Sequence, residues 1–386
     1  MKRSHLIVPA LLATLLVGCA GKVEPEYPPQ PLTAFDASVD FESVWSQDIG
    51  DGLGIARYPI TPALDDGRLF AADRSGLLRA MDAESGETLW EIQLDTPVSS
   101  GLTAVAGRLY LGTRNGEVLA IDQQSGDVLW RAPVSSEVLA PPQANTGLLV
   151  VQSVDGAVTA LDRATGEERW VYTSSEPALT LRGTGTPRVI EPVTFAGFAN
   201  GRLVTLDNRS GQPLWDMRVA VPRGRTEVDR LVDLDGQPLL TQDGRLYITS
   251  YNGRLLAMEA TSGEILWERE TSSYLSPLLV GDTLYTVTEG SHVLALDALS
   301  GRVMWESAAL EGRSLTAPVF VDGRIALGDY EGYVHLLDAD SGEIVGRQEV
   351  GDTVSLPLLA GERRLYVMTN DGELDAYRLE STDGTP

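Results

Sequence analysis

The sequence predicts an all-β fold, an eight-bladed β-propeller made of four-stranded antiparallel blades. The first observation is a recurring pattern, complete in Met81–Trp90: an apolar residue, Asp, two further residues, Ser-Gly, and a Trp four residues after the Gly. The second is its period. From Trp90 to Trp305 the successive Trp positions are 40, 40, 45, 52 and 38 residues apart. A period near 40 residues with strand-like content is typical of propellers, with one blade in each repeat.

Each residue type in the pattern suits a tight turn that leads into an outer strand. Asp and Ser or Thr side chains accept hydrogen bonds from backbone groups in turns, and Gly adopts the positive φ that such turns require. A Trp on the strand leaving the turn is large enough to pack between neighbouring blades. A residue that recurs in every blade points to a structural role, so we predict blade packing for Trp45, Trp90, Trp130, Trp170, Trp215, Trp267 and Trp305. The last copy has Gly346 where the Trp is expected, which predicts weaker local packing.

The two ends of the chain are predicted to complete one blade together. Phe41–Trp45 reads as a strand with no blade before it. Arg364–Met368 and Glu373–Leu379 read as strands of a last blade that never reaches another Ser-Gly turn. We therefore expect the N-terminal strand to complete this blade, which would leave no open sheet edge between the first and last blades.

The start of the chain predicts an exported lipoprotein. Residues 1–18 combine a basic start with a short apolar run, as a signal peptide does. The segment Leu16-Val17-Gly18-Cys19 resembles a bacterial lipobox, and Cys19 is the predicted lipidation site. The alternative is a short membrane anchor with a chance cysteine. Ala20 in place of Asp suggests the outer membrane, and we expect the protein on its periplasmic face. The predicted divisions are a signal peptide (1–18), a lipidated Cys with a flexible Pro-rich tether (19–40), the propeller (41–380) and a disordered tail (381–386).

Composition excludes several functions. The formal net charge of −25 argues against nucleic acid as a partner. Cys19 is the one cysteine, so no intrachain disulfide is possible. Of the three histidines, His5 lies in the signal, leaving His292 and His335, too few for a site of several histidines. We find no catalytic constellation and no Gly-rich phosphate loop, so the prediction is a non-enzyme without metal or cofactor.

Two connections between blades are longer than the rest. One runs through residues 174–183 and the other through residues 223–235. Both leave an outer strand, so both are expected on the same face of the disc, in neighbouring positions. Extra loop length on a rigid scaffold is where function tends to lie. The first connection pairs two leucines with an arginine, a composition typical of protein interfaces, and the second is dense in charge. The alternative is that both are solvated loops of variable length.

The whole chain resembles the BamB family, outer-membrane lipoproteins of the β-barrel assembly machinery. The resemblance covers the lipobox, the Pro-rich tether and eight repeats, and it is most specific in Ala178–Gly183 and Thr226–Asp235. It implies a scaffold that promotes folding and insertion of outer-membrane proteins and binds the POTRA repeats of BamA, with other lipoproteins of the complex as indirect partners. The implied contact residues are Leu179, Leu181, Arg182, Asp233 and Asp235. Whether the two aspartates face the partner or support Arg182 stays open.

Three other functions are weighed beside this one. The repeat also resembles the tryptophan-docking motif of quinoprotein alcohol dehydrogenases, which implies a pyrroloquinoline-quinone-dependent dehydrogenase or a descendant of one. This chain lacks adjacent cysteines and has no room for the insertions that hold the cofactor there. A small ligand in the central channel is a further alternative. Exposed blade edges also offer pairing with strands of unfolded outer-membrane protein clients.

Overall fold

The computed structural model describes residues 26–177, 179–181, 184–361 and 363–382, and every regular element within them is a β-strand. The strands form eight four-stranded sheets, and adjacent strands within each sheet run antiparallel. This confirms the predicted eight-bladed propeller. Cys19 lies outside the described residues, as do Arg182 and residues 383–386 of the predicted tail.

The strands follow one another from the inside of each blade to the outside. Blade 1 contains β2 (Ala63–Asp65), β3 (Arg68–Ala72), β4 (Leu77–Asp82) and β5 (Thr88–Gln93). Blade 2 contains β6 (Thr103–Val105), β7 (Arg108–Gly112), β8 (Glu117–Asp122) and β9 (Val128–Pro133). Blade 3 contains β10 (Gln143–Ala144), β11 (Leu148–Gln152), β12 (Ala157–Asp162) and β13 (Glu168–Thr173). Blade 4 contains β14 (Arg188–Val189), β15 (Val193–Gly197), β16 (Arg202–Asp207) and β17 (Pro213–Arg218).

The second half of the ring repeats this order. Blade 5 contains β18 (Leu239–Leu240), β19 (Arg245–Ile248), β20 (Arg254–Glu259) and β21 (Ile265–Glu270). Blade 6 contains β22 (Leu278–Val280), β23 (Thr283–Val287), β24 (Val293–Asp297) and β25 (Val303–Ser307). Blade 7 contains β26 (Val319–Val321), β27 (Arg324–Gly328), β28 (Tyr333–Asp338) and β29 (Ile344–Glu349). Blade 8 contains β30 (Leu359–Ala360), β31 (Arg364–Met368), β32 (Glu373–Ser381) and β1 (Val39–Asp48).

Blade 8 is closed by the N-terminal strand, as predicted. β1 is its outermost strand and pairs antiparallel with β32 from Val39 opposite Ser381 to Asp48 opposite Glu373. The pairing extends beyond the predicted propeller limits of 41 and 380 by two residues at one end and one at the other. The ring is therefore joined by backbone hydrogen bonds between the two ends of the chain.

Each predicted tryptophan packs on the turn glycine of the next blade. A Cβ atom at Gly86 would lie 2.7 Å from the Trp45 ring, and Trp45 Nε1 donates a hydrogen bond to the Ala83 carbonyl at 3.3 Å. The glycine is needed twice, because its φ is +73° and because any side chain would displace the indole. The same ring-on-glycine contact recurs for Trp90, Trp130, Trp170, Trp215, Trp267 and Trp305.

Gly346 is the exception in the repeat because it faces blade 8, whose third and fourth strands, β32 and β1, are not joined by a turn. A Trp here would pack on the turn between the third and fourth strands of blade 8, where the chain instead ends and begins again. The start of β1 occupies this space: a Cβ at Gly346 would lie 2.9 Å from the Val39 carbonyl oxygen and 3.4 Å from the Phe41 ring. The expected weaker packing is thus replaced by a contact with β1.

The alternation of strand direction gives the disc two different faces. Connections between blades lie on the same face as the turns between the second and third strands of each blade, and we call this the loop face. Turns between the first and second strands, and between the third and fourth, lie on the opposite face. The two long connections therefore share the loop face, as the sequence predicts.

Residues 26–38, here called the strap, lie against blades 6 and 7, which differs from the freely flexible tether expected from the sequence. The strap starts on the loop face, where the Tyr27 ring lies 3.0 Å from a Cβ built at Gly290, and the amide of Gln30 donates to the Glu311 carbonyl at 2.9 Å. It then descends the outside of blade 7. Arg347 donates to the Thr33 carbonyl at 3.1 Å and stacks on the Phe35 ring at 4.9 Å.

A buried ionic cluster stands behind the strap in blade 7. Asp329 is fully buried. It accepts a hydrogen bond from Arg313 Nε at 2.6 Å, and His335 Nε2 lies 2.8 Å from its carboxylate. Arg313 is also buried, and its Nη1 lies 3.4 Å from the carbonyl oxygen of strap residue Gln30. The Asp329 pairs and hydrogen bonds outweigh the cost of its burial, so the pKa of Asp329 lies below its usual value. This cluster gives the strap a rigid surface.

Candidate partner-binding site

The two long connections form one structural unit on the loop face. Loop A (residues 174–187) joins β13 to β14, and loop B (residues 219–238) joins β17 to β18. The Leu181 amide donates a hydrogen bond to Asp233 Oδ2, and the Thr186 amide donates to the Asp235 carbonyl at 3.3 Å. Loop B therefore supports loop A from the side of the neighbouring blade.

Turn asparagines of the blades hold the start of loop A and the middle of loop B. Asn200, in the β15–β16 turn, donates from Nδ2 to Ser174 Oγ and to the Ser175 carbonyl, both at 2.9 Å. Asn252, in the β19–β20 turn, donates to the Leu231 carbonyl at 3.1 Å. Each asparagine precedes a glycine, a pair typical of hairpin turns, and in the structure each also secures a loop.

Loop B has a buried half and an exposed half. Residues 231–234 are buried, and Leu234 packs so closely that a Cβ added to Gly197 would lie 2.8 Å from its own Cβ. Residues 221–230 are exposed, and Asp229 Oδ2 accepts from the amides of Arg225 and Thr226 at 3.1 and 3.0 Å. The buried half fixes the position of Asp233, and the exposed half presents charged side chains to solvent.

The structure brings four of the five predicted contact residues together and separates their roles. Leu179 is 44% exposed on the surface of loop A, while Leu181 is partly buried. Asp233 is completely buried beneath them, and Asp235 is partly buried. Of these four residues, only Leu179 is clearly exposed. Arg182 lies outside the described residues.

Three carboxyl groups gather under loop A. Glu176, which the sequence does not single out, lines a small cavity together with Asp235, Thr180 and Thr184. Burial raises the pKa of Glu176 to about 7, and the nearby Asp233 adds to the shift. Burial likewise raises the pKa of Asp233 to about 6, against which the Leu181 amide acts in the lowering direction.

The third carboxyl, Asp235, is shifted most. Burial raises the pKa of Asp235 well above its usual value, and repulsion from Asp233 and Glu176 raises it further. Among the described residues, Asp233 Oδ1 and both carboxylate oxygens of Glu176 have no hydrogen-bond partner. The cluster therefore favours either bound protons or a neighbouring cation, because unpaired carboxylates are costly away from water.

Neither a metal centre nor a membrane-spanning helix is found in the described parts of the chain. No group of three or more His, Asp or Glu side chains there has a geometry that could hold a metal ion. No helix within the same ranges is long and apolar enough to cross a bilayer.

Comparison with known proteins identifies the family. The profile of a family described as "Outer membrane protein assembly factor BamB" matches residues 31–111, 74–307 and 289–386. The protein of that name from Pseudomonas aeruginosa is 47% identical over 370 residues, covering 95% of this chain and 97% of the relative. The Escherichia coli protein of that name is 32% identical over 386 residues, covering 96% and 98%.

Solved structures agree with this assignment. The crystal structure of BamB from Moraxella catarrhalis superposes with a TM-score of 0.80 at 27% identity, covering 88% of this chain and all of that one. A europium-containing methanol dehydrogenase also superposes, with a TM-score of 0.72 at 13% identity over 88% of this chain and 93% of that one. The dehydrogenase shares the fold alone. From the matched profile and the full-length relatives, the chain belongs to the family of the outer membrane protein assembly factor BamB.

Proposed function

We propose that this protein is a non-enzymatic scaffold for outer-membrane protein assembly, anchored by lipid at Cys19 on the periplasmic face of the outer membrane. Its partner in this proposal is BamA, bound through the POTRA repeats, with other lipoproteins of the complex reached indirectly. Family membership supports the assembly role, and the lipobox-like start of the chain supports the anchor.

The observation that carries the proposal is the two-loop unit. An exposed leucine on an ordinary mobile loop would lose conformational freedom on binding. Here Leu179 is presented by a loop that Asp233 and Asn200 hold from below, so less freedom is lost when a partner covers it. Leu179 supplies apolar contact, and Leu181 completes the apolar surface at its buried side.

The charged residues have separate roles in this proposal. Asp233 is fully buried and already accepts from the Leu181 amide, so it supports the loop and makes no contact with the partner. Arg182 follows Leu181 in the chain and is the proposed charged donor to the partner. Asp235 is partly buried, and its backbone carbonyl accepts a hydrogen bond from the Thr186 amide, so in this proposal it also supports loop A.

The proposal is tested by co-purification from outer membranes. The wild-type chain is expected to bring down BamA, and a triple variant with Leu179→Ala, Leu181→Ala and Arg182→Ala is expected to lose it. The matched control is Leu129→Ala on β9, because Leu129 is 45% exposed and Leu179 is 44% exposed. All variants should melt like the wild type. Equal recovery of BamA by the triple variant and the control would show that the loops are not the binding site.

A further inference from the structure

Ile55 is the most exposed large apolar side chain in the described part of the protein, at 105% of its reference exposure. It lies on the loop face, at the tip of the connection between β1 and β2. The neighbours on either side in the chain are glycine and alanine, so no adjacent large side chain covers it. Covering a fully exposed isoleucine with an apolar surface lowers the free energy, because apolar area is removed from water.

The loop that carries Ile55 is held in a defined shape. Leu53 and Tyr58 are buried at its base. The Leu53 amide donates to the Asn370 carbonyl at 2.9 Å, and the Arg57 amide donates to the Gly54 carbonyl at 2.9 Å. Gly52 and Gly54 have positive φ values of +58° and +72°, which the tight path requires. Ile55 is therefore presented outward by a folded turn.

A chain of contacts connects this turn to the strap. Arg57 Nη2 donates to Tyr330 Oη at 3.0 Å, and its guanidinium stacks on the Tyr330 ring at 4.6 Å. The Tyr330 amide donates to the Arg313 carbonyl at 3.1 Å, and Arg313 reaches the carbonyl of Gln30. Tyr330 is 48% exposed and Tyr27 is 37% exposed, so two tyrosines and one isoleucine share this part of the loop face. We call Tyr27, Ile55, Arg57 and Tyr330 the Ile55 patch.

The strap places the anchor next to the patch. Seven peptide units separate Cys19 from Glu26, and an extended chain of that length spans no more than ~25 Å. Because residues from Tyr27 onward are docked, a lipid on Cys19 keeps the bilayer within that distance of the strap's start on the loop face. Tyr27 itself belongs to the Ile55 patch.

The composition of the patch fits a lipid surface that carries no net charge. Tyrosine side chains favour the headgroup level of membranes, and an aliphatic side chain can enter the acyl region. Arg57 can contact a lipid phosphate. Arg74, in the neighbouring β3–β4 turn, pairs with Asp51 of this loop at 3.5 Å. Burial raises the pKa of Tyr27, and the negative charges of Glu26, Glu289 and Glu311 raise it further. These carboxylates would repel an anionic bilayer, so a zwitterionic bilayer is preferred.

We propose that the Ile55 patch rests on the surface of a zwitterionic phospholipid bilayer when the chain is anchored. This inference depends on the anchor at Cys19 in the proposed function, but not on binding of BamA. The loop face is then turned toward the membrane from blade 6 through blades 7 and 8 to blade 1. The two-loop unit lies on the same face, around the ring at blades 3 to 5, and stays open to a protein partner beside the contact.

The test uses the chain from Cys19 onward, coupled by its lone thiol to a maleimide phospholipid in phosphatidylcholine vesicles. A fluorescent amino acid replaces Ile55 in one sample and Glu84 in the other. Glu84 lies in the β4–β5 turn on the opposite face, with a side chain 86% exposed. Spin-labelled lipids quench fluorophores that approach the bilayer. We expect several-fold stronger quenching at position 55 than at position 84, reduced toward the value at 84 by Arg347→Ala, which loosens the strap.

Other outcomes would overturn the proposal. Equal quenching at both positions would mean that the disc has no preferred face toward the lipid. No quenching at position 55 in the coupled chain would mean that the patch points away. Shielding of position 55 from aqueous iodide only after BamA is added would assign the patch to a protein contact instead. Because coupling is chemical and the quenching needs no partner, failure here would leave the proposed partner binding unaffected.

Discussion

The backbone amide of Leu181 donates a hydrogen bond to the buried carboxylate of Asp233, which lies 52 residues further along the chain. The bond crosses from the connection before blade 4 to the connection after it. Movement of either loop therefore disturbs the other. The exposed Leu179 lies on a loop that the buried Asp233 supports. In the proposed function, variants at Leu179 therefore test lost contact with the partner, and variants at Asp233 test lost support of the loop.

Asp233→Ala should loosen loop A without unfolding the propeller. The change leaves the Leu181 amide without its acceptor, which costs about 1–3 kcal/mol for a buried group. Asp233→Asn keeps an oxygen in place and should cost less. Native-state hydrogen exchange at the Leu181 amide measures the difference, with faster exchange expected in the alanine variant. Identical exchange in wild type and both variants would show that the bond does not hold the loop.

The two-loop unit should close more tightly as pH falls. The pKa values of Glu176 and Asp233 are raised to about 7 and about 6, from ordinary values of 4.5 and 3.8. The closed site therefore binds protons more tightly than the opened one, and protonation favours closure. The free energy holding the loops closed is greatest below about pH 4 and falls as pH rises toward 7. Asp235, with its pKa also raised, acts in the same direction.

Hydrogen exchange of loop A at pH 5 and pH 8, corrected for intrinsic rates, checks this dependence. Protection should be higher at pH 5. Glu176→Gln removes one titrating group and should flatten the dependence, while exchange in blade 1, far from the cluster, serves as an internal control. Higher protection at pH 8 would contradict the predicted pH dependence and would indicate that a positively charged group neutralises the carboxylates.

Gly346→Ala should destabilise the closure of the ring. The new Cβ would lie 2.9 Å from the Val39 carbonyl oxygen, so β1 has to shift, at a cost of about 1–3 kcal/mol. Gly147→Ala is the matched control, since no atom lies within 4 Å of its Cβ position. Thermal unfolding measures both variants. An unchanged midpoint for Gly346→Ala would mean that β1 adapts at no cost.

Arg347→Ala should release the lower part of the strap while the blades stay folded. The change removes the hydrogen bond to Thr33 and the stacking on Phe35. Limited proteolysis should then cut within residues 26–38 faster than in the wild type. Arg131→Ala is the control, because Arg131 follows Trp130 in blade 2 as Arg347 follows Gly346, and it pairs with Asp95 on the surface instead. Equal cutting in both variants would show that Arg347 does not hold the strap.

The ring could be predicted from the sequence because its determinants are local and repeated. The Asp82 turn illustrates this: Oδ1 accepts from the amides of Glu84 and Ser85, at 3.0 and 2.8 Å, all within four consecutive residues. The same spacing recurs in all seven copies of the pattern and predicts blades 1 to 7. The role of Gly346 could not be predicted, because it depends on β1, more than 300 residues away in the chain.

The site was predicted only in part for the same reason. Loop length and composition pointed to Leu179 and Leu181. The buried state of Asp233 and the inclusion of Glu176 depend on packing between two blades, for which the sequence carries no short-range signal. Docking of the strap was missed because a Pro-rich polar segment looks like a tether whether or not it meets a complementary surface.

Because β1 closes blade 8, this blade can be completed only after the whole ring has been synthesised. β1 is synthesised before the other strands of the ring, whereas its partner β32 ends at Ser381 and is synthesised last. β1 therefore lacks its partner strand until the residues of the other seven blades have been synthesised. During that interval the unpaired edge of β1 is open to pairing with other strands, and synthesis of β32 ends that exposure.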